Sequence, residues 1–185
     1  MSEQLNPQAR RDKYGSRINR THSPVLAIAV PWATIMAASL VQTLPVASAV
    51  PLVPPLGFLM LLCWRLVRPG LLPVWAGFPL GLFDDLFSGQ PFGSAIALWS
   101  LALLLIELIE YRLPWREFPL DWLLSCAVLI GYIVLAALFS GARIEGPGLV
   151  ALGPQLLLSS LLYPIVARMV SWLDRLRLTR FKVID

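Results

Sequence analysis

Apolar windows of about 18 to 22 residues, free of Lys and Arg, follow one another along this chain, and each is long enough to cross the hydrocarbon core of a bilayer. A helix at the surface of a soluble domain keeps a polar face for water, and these windows offer none. With 57% hydrophobic residues, 14% charged residues and a mean hydropathy of +0.72, the chain carries more apolar surface than 185 residues can bury in one aqueous core. The reading is an all-α integral membrane protein, with hydrocarbon as the solvent of most side chains.

Six apolar segments are expected, at residues 25–44, 46–64, 71–87, 92–111, 121–140 and 149–172. They form a compact bundle of about six transmembrane helices. Five remain possible if the Ala47-Ser48-Ala49 triplet is a signal-peptidase site. Segment two contains Pro51, Pro54 and Pro55, which remove backbone donors, so a half-helix with an extended leg is expected there. The basic residues test the count. With six crossings, fourteen of the fifteen Lys and Arg residues fall on one side, among them Arg65, Arg68, Arg112, Arg116, Arg168, Arg175 and Arg177, and only Arg143 falls on the other. By the positive-inside rule both termini face the cytoplasm, which places the chain in a cell inner membrane. Residues 1–24 read as a basic cytoplasmic tail without structure, residues 25–173 as one transmembrane helical domain, and residues 174–185 as a basic cytoplasmic C-tail.

The net charge of +4 and pI near 9.5 do not indicate nucleic acid, because the basic residues flank apolar segments and form no patch interleaved with exposed aromatics. They suit contact with membrane lipids instead. Cys63 and Cys126 lie in apolar runs, far from the single His22, and read as packing residues. No Ser-His-Asp set, HExxH, phosphate loop or thiol pair can be assembled. The expectation is therefore a protein that is not an enzyme, with no catalytic residues, no metal site and no cofactor.

The informative stretch is residues 77–93, GFPLGLFDDLFSGQPFG, where Asp84 and Asp85 lie in or beside the third apolar segment. Carboxylates are costly there. Counted from a boundary near Gly70, Asp85 is about 22 Å along a continuous helix, in its outer third. Three readings stay open. Ser88, Gly89, Pro91 and Gly93 make a tight turn, with Pro91 starting helix four and the carboxylates meeting its free amides. Alternatively one carboxylate faces a partner protein, or the pair forms an ion or proton relay. Gly77-x-x-x-Gly81 is a helix-packing spacing. Glu107, Glu110, Arg112, Arg116, Glu117 and Asp121 form a cluster at the inner end of helix four, read as an interfacial ion network or as a docking surface. Trp64, Trp75, Trp115, Trp122 and Trp172 are expected in aromatic belts, with Trp32 and Trp99 deeper.

Across residues 52–100 the chain resembles the MreD family. The likeness is carried by a Pro-containing apolar leg, the Arg68-Pro69 step, Gly81-Leu82-Phe83-Asp84-Asp85 and Gly89-Gln90-Pro91-Phe92-Gly93. Asp85 matches the family's aspartate, and Asp84 is an addition. Length and hydropathy extend the likeness over about residues 25–175. The resemblance implies a non-enzymatic component of the elongation machinery that maintains rod shape. Its implied partners are an MreC-like membrane protein, the rod-type glycosyltransferase and transpeptidase pair, and the MreB filament directly or indirectly. It also implies a fold similar to the substrate-binding subunits of energy-coupling-factor transporters. Asp85, Asp84, Gly81, Gly89, Pro91 and Gly93 are the candidate partner-binding or turn-forming residues. The rival reading is a substrate-binding membrane subunit of a vitamin-type transporter, which needs an outward cavity with polar and aromatic groups.

Overall fold

The computed structural model describes residues 20–21, 24–41, 53–112, 117–141, 147–177 and 182–183. The Ala47-Ser48-Ala49 triplet, His22, Trp115, Arg116, Arg143, Glu145 and most of both tails lie outside the described residues. Six α-helices are present among them: α1 (Pro24–Val41), α2 (Leu56–Val67), α3 (Gly77–Phe87), α4 (Ser94–Arg112), α5 (Phe118–Phe139) and α6 (Pro147–Arg177). Two short strands, β1 (Arg20–Thr21) and β2 (Lys182–Val183), pair antiparallel and bring the two ends of the chain together.

Three stretches, Ser94–Arg112, Phe118–Phe139 and Leu152–Arg177, are long and apolar enough to cross a membrane. The second and third expected segments are shorter as helices. Pro54 and Pro55 delay α2 until Leu56, and at 12 residues it is about 18 Å long. Residues 71–87 are not one helix. Pro73 leads into a 3₁₀ turn over Val74–Ala76, and α3 then runs 11 residues from Gly77. Pro79 is accommodated because it lies in the first helical turn, where its missing N–H has no intrahelical partner. Helix α6 continues to Arg177, past the boundary near residue 173 expected from hydropathy.

Short α2 is the centre of the bundle. Every residue from Gly57 to Leu66 is buried, and the helix packs against α1, α5 and α6. Phe58 stacks on Tyr132 of α5 at 4.0 Å between ring centroids and meets Trp99 of α4 at 6.0 Å. Trp64, expected in a boundary belt, is instead fully buried; its Nε1 donates to Thr34 Oγ1 of α1 at 2.9 Å. Around this core, α4 and α5 expose Leu101, Leu104, Leu108, Leu123, Ile130 and Leu138, a surface suited to lipid and not to water. Pro164 inside α6 leaves the carbonyl of Ser160 without its intrahelical donor. Trp122 Nε1 of α5 replaces that donor at 3.1 Å.

Helices α3 and α4 approach most closely. A Cβ on Gly81 would lie 2.8 Å from Ala95 O and Ile96 Cα, and one on Gly77 would lie 2.9 Å from Ser100 Cα. Because the obstacles are backbone atoms, neither side can relax by a rotamer change. Gly131 of α5 faces open space. Gly81→Ala should therefore destabilise the protein by about 1–3 kcal/mol, while Gly131→Ala should leave stability unchanged or raise it by up to about 1 kcal/mol. Thermal unfolding of both variants in one detergent checks this, and equal melting temperatures would refute it.

Candidate functional site

Helix α3 carries Asp85 eight residues beyond its first residue, about 12 Å along the axis, and the chain then reverses through Ser88–Gly93 into α4. The expected 22 Å was too long because the helix starts at Gly77 and not near Gly70. Gly93 has a φ of +93°, a conformation costly for residues with a Cβ. Its carbonyl accepts the Ala97 N–H at 3.1 Å, so it stands at the N-cap of α4. Glycine has no side-chain oxygen with which to cap.

Asp85 supplies that oxygen from the preceding helix. Its Oδ2 accepts the N–H groups of Gly93 at 3.0 Å and Ile96 at 3.2 Å. Its Oδ1 accepts the Ala95 N–H at 2.9 Å and the Ser94 hydroxyl at 3.4 Å. One carboxylate thus satisfies three amides at the positive end of a helix. Pro91 does not begin α4. It lies in the turn, where its carbonyl accepts the Ser94 N–H at 3.0 Å. Gly89, at φ +68°, allows the preceding reversal. Asp85, Gly81, Gly89, Pro91 and Gly93 therefore belong to one device, the α3–α4 hairpin. Ser94, whose hydroxyl joins the cap, was not singled out in the sequence; a Ser opening an apolar helix is the signal that marks it.

Asp84 points elsewhere. It is 1% exposed and lies beside Ser39 of α1 and Gly57 of α2, where a Cβ on Gly57 would come within 3.1 Å of Asp84 Oδ1. Neither carboxylate oxygen of Asp84 has a hydrogen-bond partner, nor does Ser39 Oγ. Adjacent residues on a helix diverge by about 100°, so the two carboxylates serve different neighbours.

At the opposite, basic end the charged residues form a second network. Arg65 of α2, 3% exposed, donates to Glu107 and Glu110 of α4 at 2.7 Å each and to the Leu72 carbonyl at 2.8 Å. Asp174 of α6 accepts from Arg68 at 2.6 Å and from Arg177 at 2.7 Å. The Arg177 guanidinium lies 5.8 Å from the Trp64 ring centroid. The acidic residues of α4 are thus joined to α2 through Arg65. Asp174, the one acidic residue amid Arg168, Arg175 and Arg177, was the overlooked signal. No group of three His, Cys, Asp or Glu side chains able to hold a metal occurs among the described residues.

The neighbouring aspartates should respond to mutation with opposite signs. Asp85→Ala leaves amides at the α4 start without an acceptor and should cost about 2 kcal/mol. Asp84→Asn removes an unpartnered buried carboxyl group and adds a donor facing Ser39, so stability should hold or rise. Melting temperatures of the two purified variants in detergent check the pair; a stable Asp85→Ala protein would contradict the capping role.

No curated protein and no solved structure matches the chain. The family model of the rod shape-determining protein MreD matches residues 23–176, most of its length. That match includes all six helices, apart from the last residue of α6, and the membrane character of the longer ones agrees with it. The family is one of shape-determining structural membrane proteins, and no enzyme family is implicated. The chain belongs to the MreD family and is a component of the machinery that determines rod shape.

Proposed function

We propose that this protein is a non-catalytic scaffold of the bacterial cell-elongation complex, seated in the inner membrane by six crossings with both termini in the cytoplasm. Sorting of the basic residues supports the orientation, and the pairing of β1 with β2 suits termini on one side. On this reading α2 and α3 complete their crossings with extended or 3₁₀ segments shielded by protein. On the family resemblance, the architecture would be of the kind seen in the substrate-binding subunits of energy-coupling-factor transporters.

The observation that carries the scaffold reading is the α3–α4 hairpin. Asp85 holds a turn whose outer surface is apolar: Leu86 is 64% exposed, Phe87 41% and Phe92 71%, with Pro91 also exposed. Rigid aromatic side chains that stay uncovered are the anchors of a protein contact. Asp85, Gly89, Pro91 and Gly93 shape this knuckle, Gly81 seats it against α4, and Asp84 faces α1 and α2 at its base. An MreC-like membrane protein and the rod-type glycosyltransferase and transpeptidase pair are the partners that would seat on it. The MreB filament would be reached through them or across the basic cytoplasmic face.

A vitamin-carrying role is less well supported. The polar cavity bounded by Gln90, Tyr132, Ser140 and Gln155 has a volume of about 250 Å³, below the ~300–1,000 Å³ usual for small-molecule sites.

Phe92→Ala should leave melting temperature and membrane insertion unchanged while reducing recovery of the MreC-like partner roughly tenfold, the loss of one good hot spot. Co-purification from native membranes measures this, and undiminished recovery would remove the hairpin from the contact. Depletion of the protein should convert rods to rounded cells. Reporter fusions at Arg68 and Asp185 should both read cytoplasmic.

A further inference from the structure

Helix α6 has two charged faces, and only one is accounted for. Asp174 and Arg177 turn into the bundle, with side chains 6% and 8% exposed, where Asp174 neutralises Arg68 and Arg177. Arg168 and Arg175 are exposed and have no ion pair among the described residues. Seven residues apart, they lie within about 20° of each other around the helix and about 10 Å apart along it. Between them on the same stripe is Trp172, 58% exposed, and Leu161 and Ile165 continue the stripe at 64% and 65% exposed. Pro164, Ile165, Arg168, Met169 and Trp172 line an open depression of about 610 Å³.

We infer that this stripe is a binding site for an anionic phospholipid of the adjacent leaflet, its phosphate held between Arg168 and Arg175. Depth and charge identify the occupant. Arg168 lies about 13 Å inside the end of α6 at Arg177, within a stretch apolar enough to span, so its guanidinium must reach toward the interface for an anion. Phosphate matches the guanidinium fork. Trp172 occupies the headgroup level as an interfacial ring, and Leu161 and Ile165 continue into the acyl region as a track for one chain. The assignment needs only the membrane setting of the bundle and is independent of the scaffold reading.

The test uses the full-length protein, extracted in mild detergent and passed through gel filtration, with retained phospholipid quantified by mass spectrometry. Wild type should retain phosphatidylglycerol or cardiolipin. In the double variant R168Q/R175Q retention should fall by roughly thirtyfold, as expected for two basic side chains at an anionic leaflet. R168K/R175K should keep most of it, and R112Q, changed at the exposed end of α4, should match wild type. A folded R168Q/R175Q protein that retains wild-type lipid overturns the site, as does an equal loss in R112Q. So does loss of a partner protein with lipid retention unchanged, since that would assign the arginines to a partner's carboxylate. Should the glutamine variant unfold, wild type in nanodiscs decides: a higher melting temperature in phosphatidylglycerol than in phosphatidylcholine supports the site, and no difference overturns it.

Discussion

The Asp85 carboxylate is the interaction on which the arrangement of α3 and α4 depends. A helix starting on glycine has no capping side chain of its own, and its first amides need an acceptor wherever water is scarce. Asp85 reaches from the preceding helix to three of those amides, fixing the spacing between the two helices at that end. The glycines then allow the backbones to close on each other below it. Capping and close packing act together, because either one alone would leave the hairpin free to splay.

The same demand for internal partners explains much of the other buried polar chemistry. Arg65 can be buried at the basic end of the bundle because two carboxylates of α4 and one carbonyl accept from it. A buried guanidinium without them would be strongly destabilising. Pro164 leaves a carbonyl that Trp122 satisfies. Both oxygens of Asp84 are without a hydrogen-bond partner, as are the neighbouring Ser39 Oγ, Trp99 Nε1 and Ser125 Oγ. Of these groups a carboxyl is the costliest to bury unpaired.

A shape-determining structural protein acts through the surfaces it holds in place. The chain presents three: an apolar knuckle at the α3–α4 turn, an exposed apolar belt on α4 and α5 suited to lipid, and an arginine stripe on α6 at the basic end. The bundle beneath them is braced at both ends, by the Asp85 cap at one and by the Arg65 and Asp174 ion networks at the other. This bracing suits the scaffold role proposed above.

Composition alone determined the membrane medium and the helical class, because hydropathy is read residue by residue along the chain, and it directed attention to residues 77–93. Helix ends were legible only roughly. Hydropathy does not register the 3₁₀ turn after Pro73 or the continuation of α6 through a buried Asp174. Only the tertiary structure decided which aspartate caps α4 and which faces α1, since a rotation of about 100° separates them and the packing of α3 sets its direction. It alone also joined Arg65 to Glu107 and Glu110, and Arg68 to Asp174, across 42, 45 and 106 residues of sequence. Pairings at such separations depend on how helices turn toward one another, and that angle is settled by side-chain packing throughout the bundle.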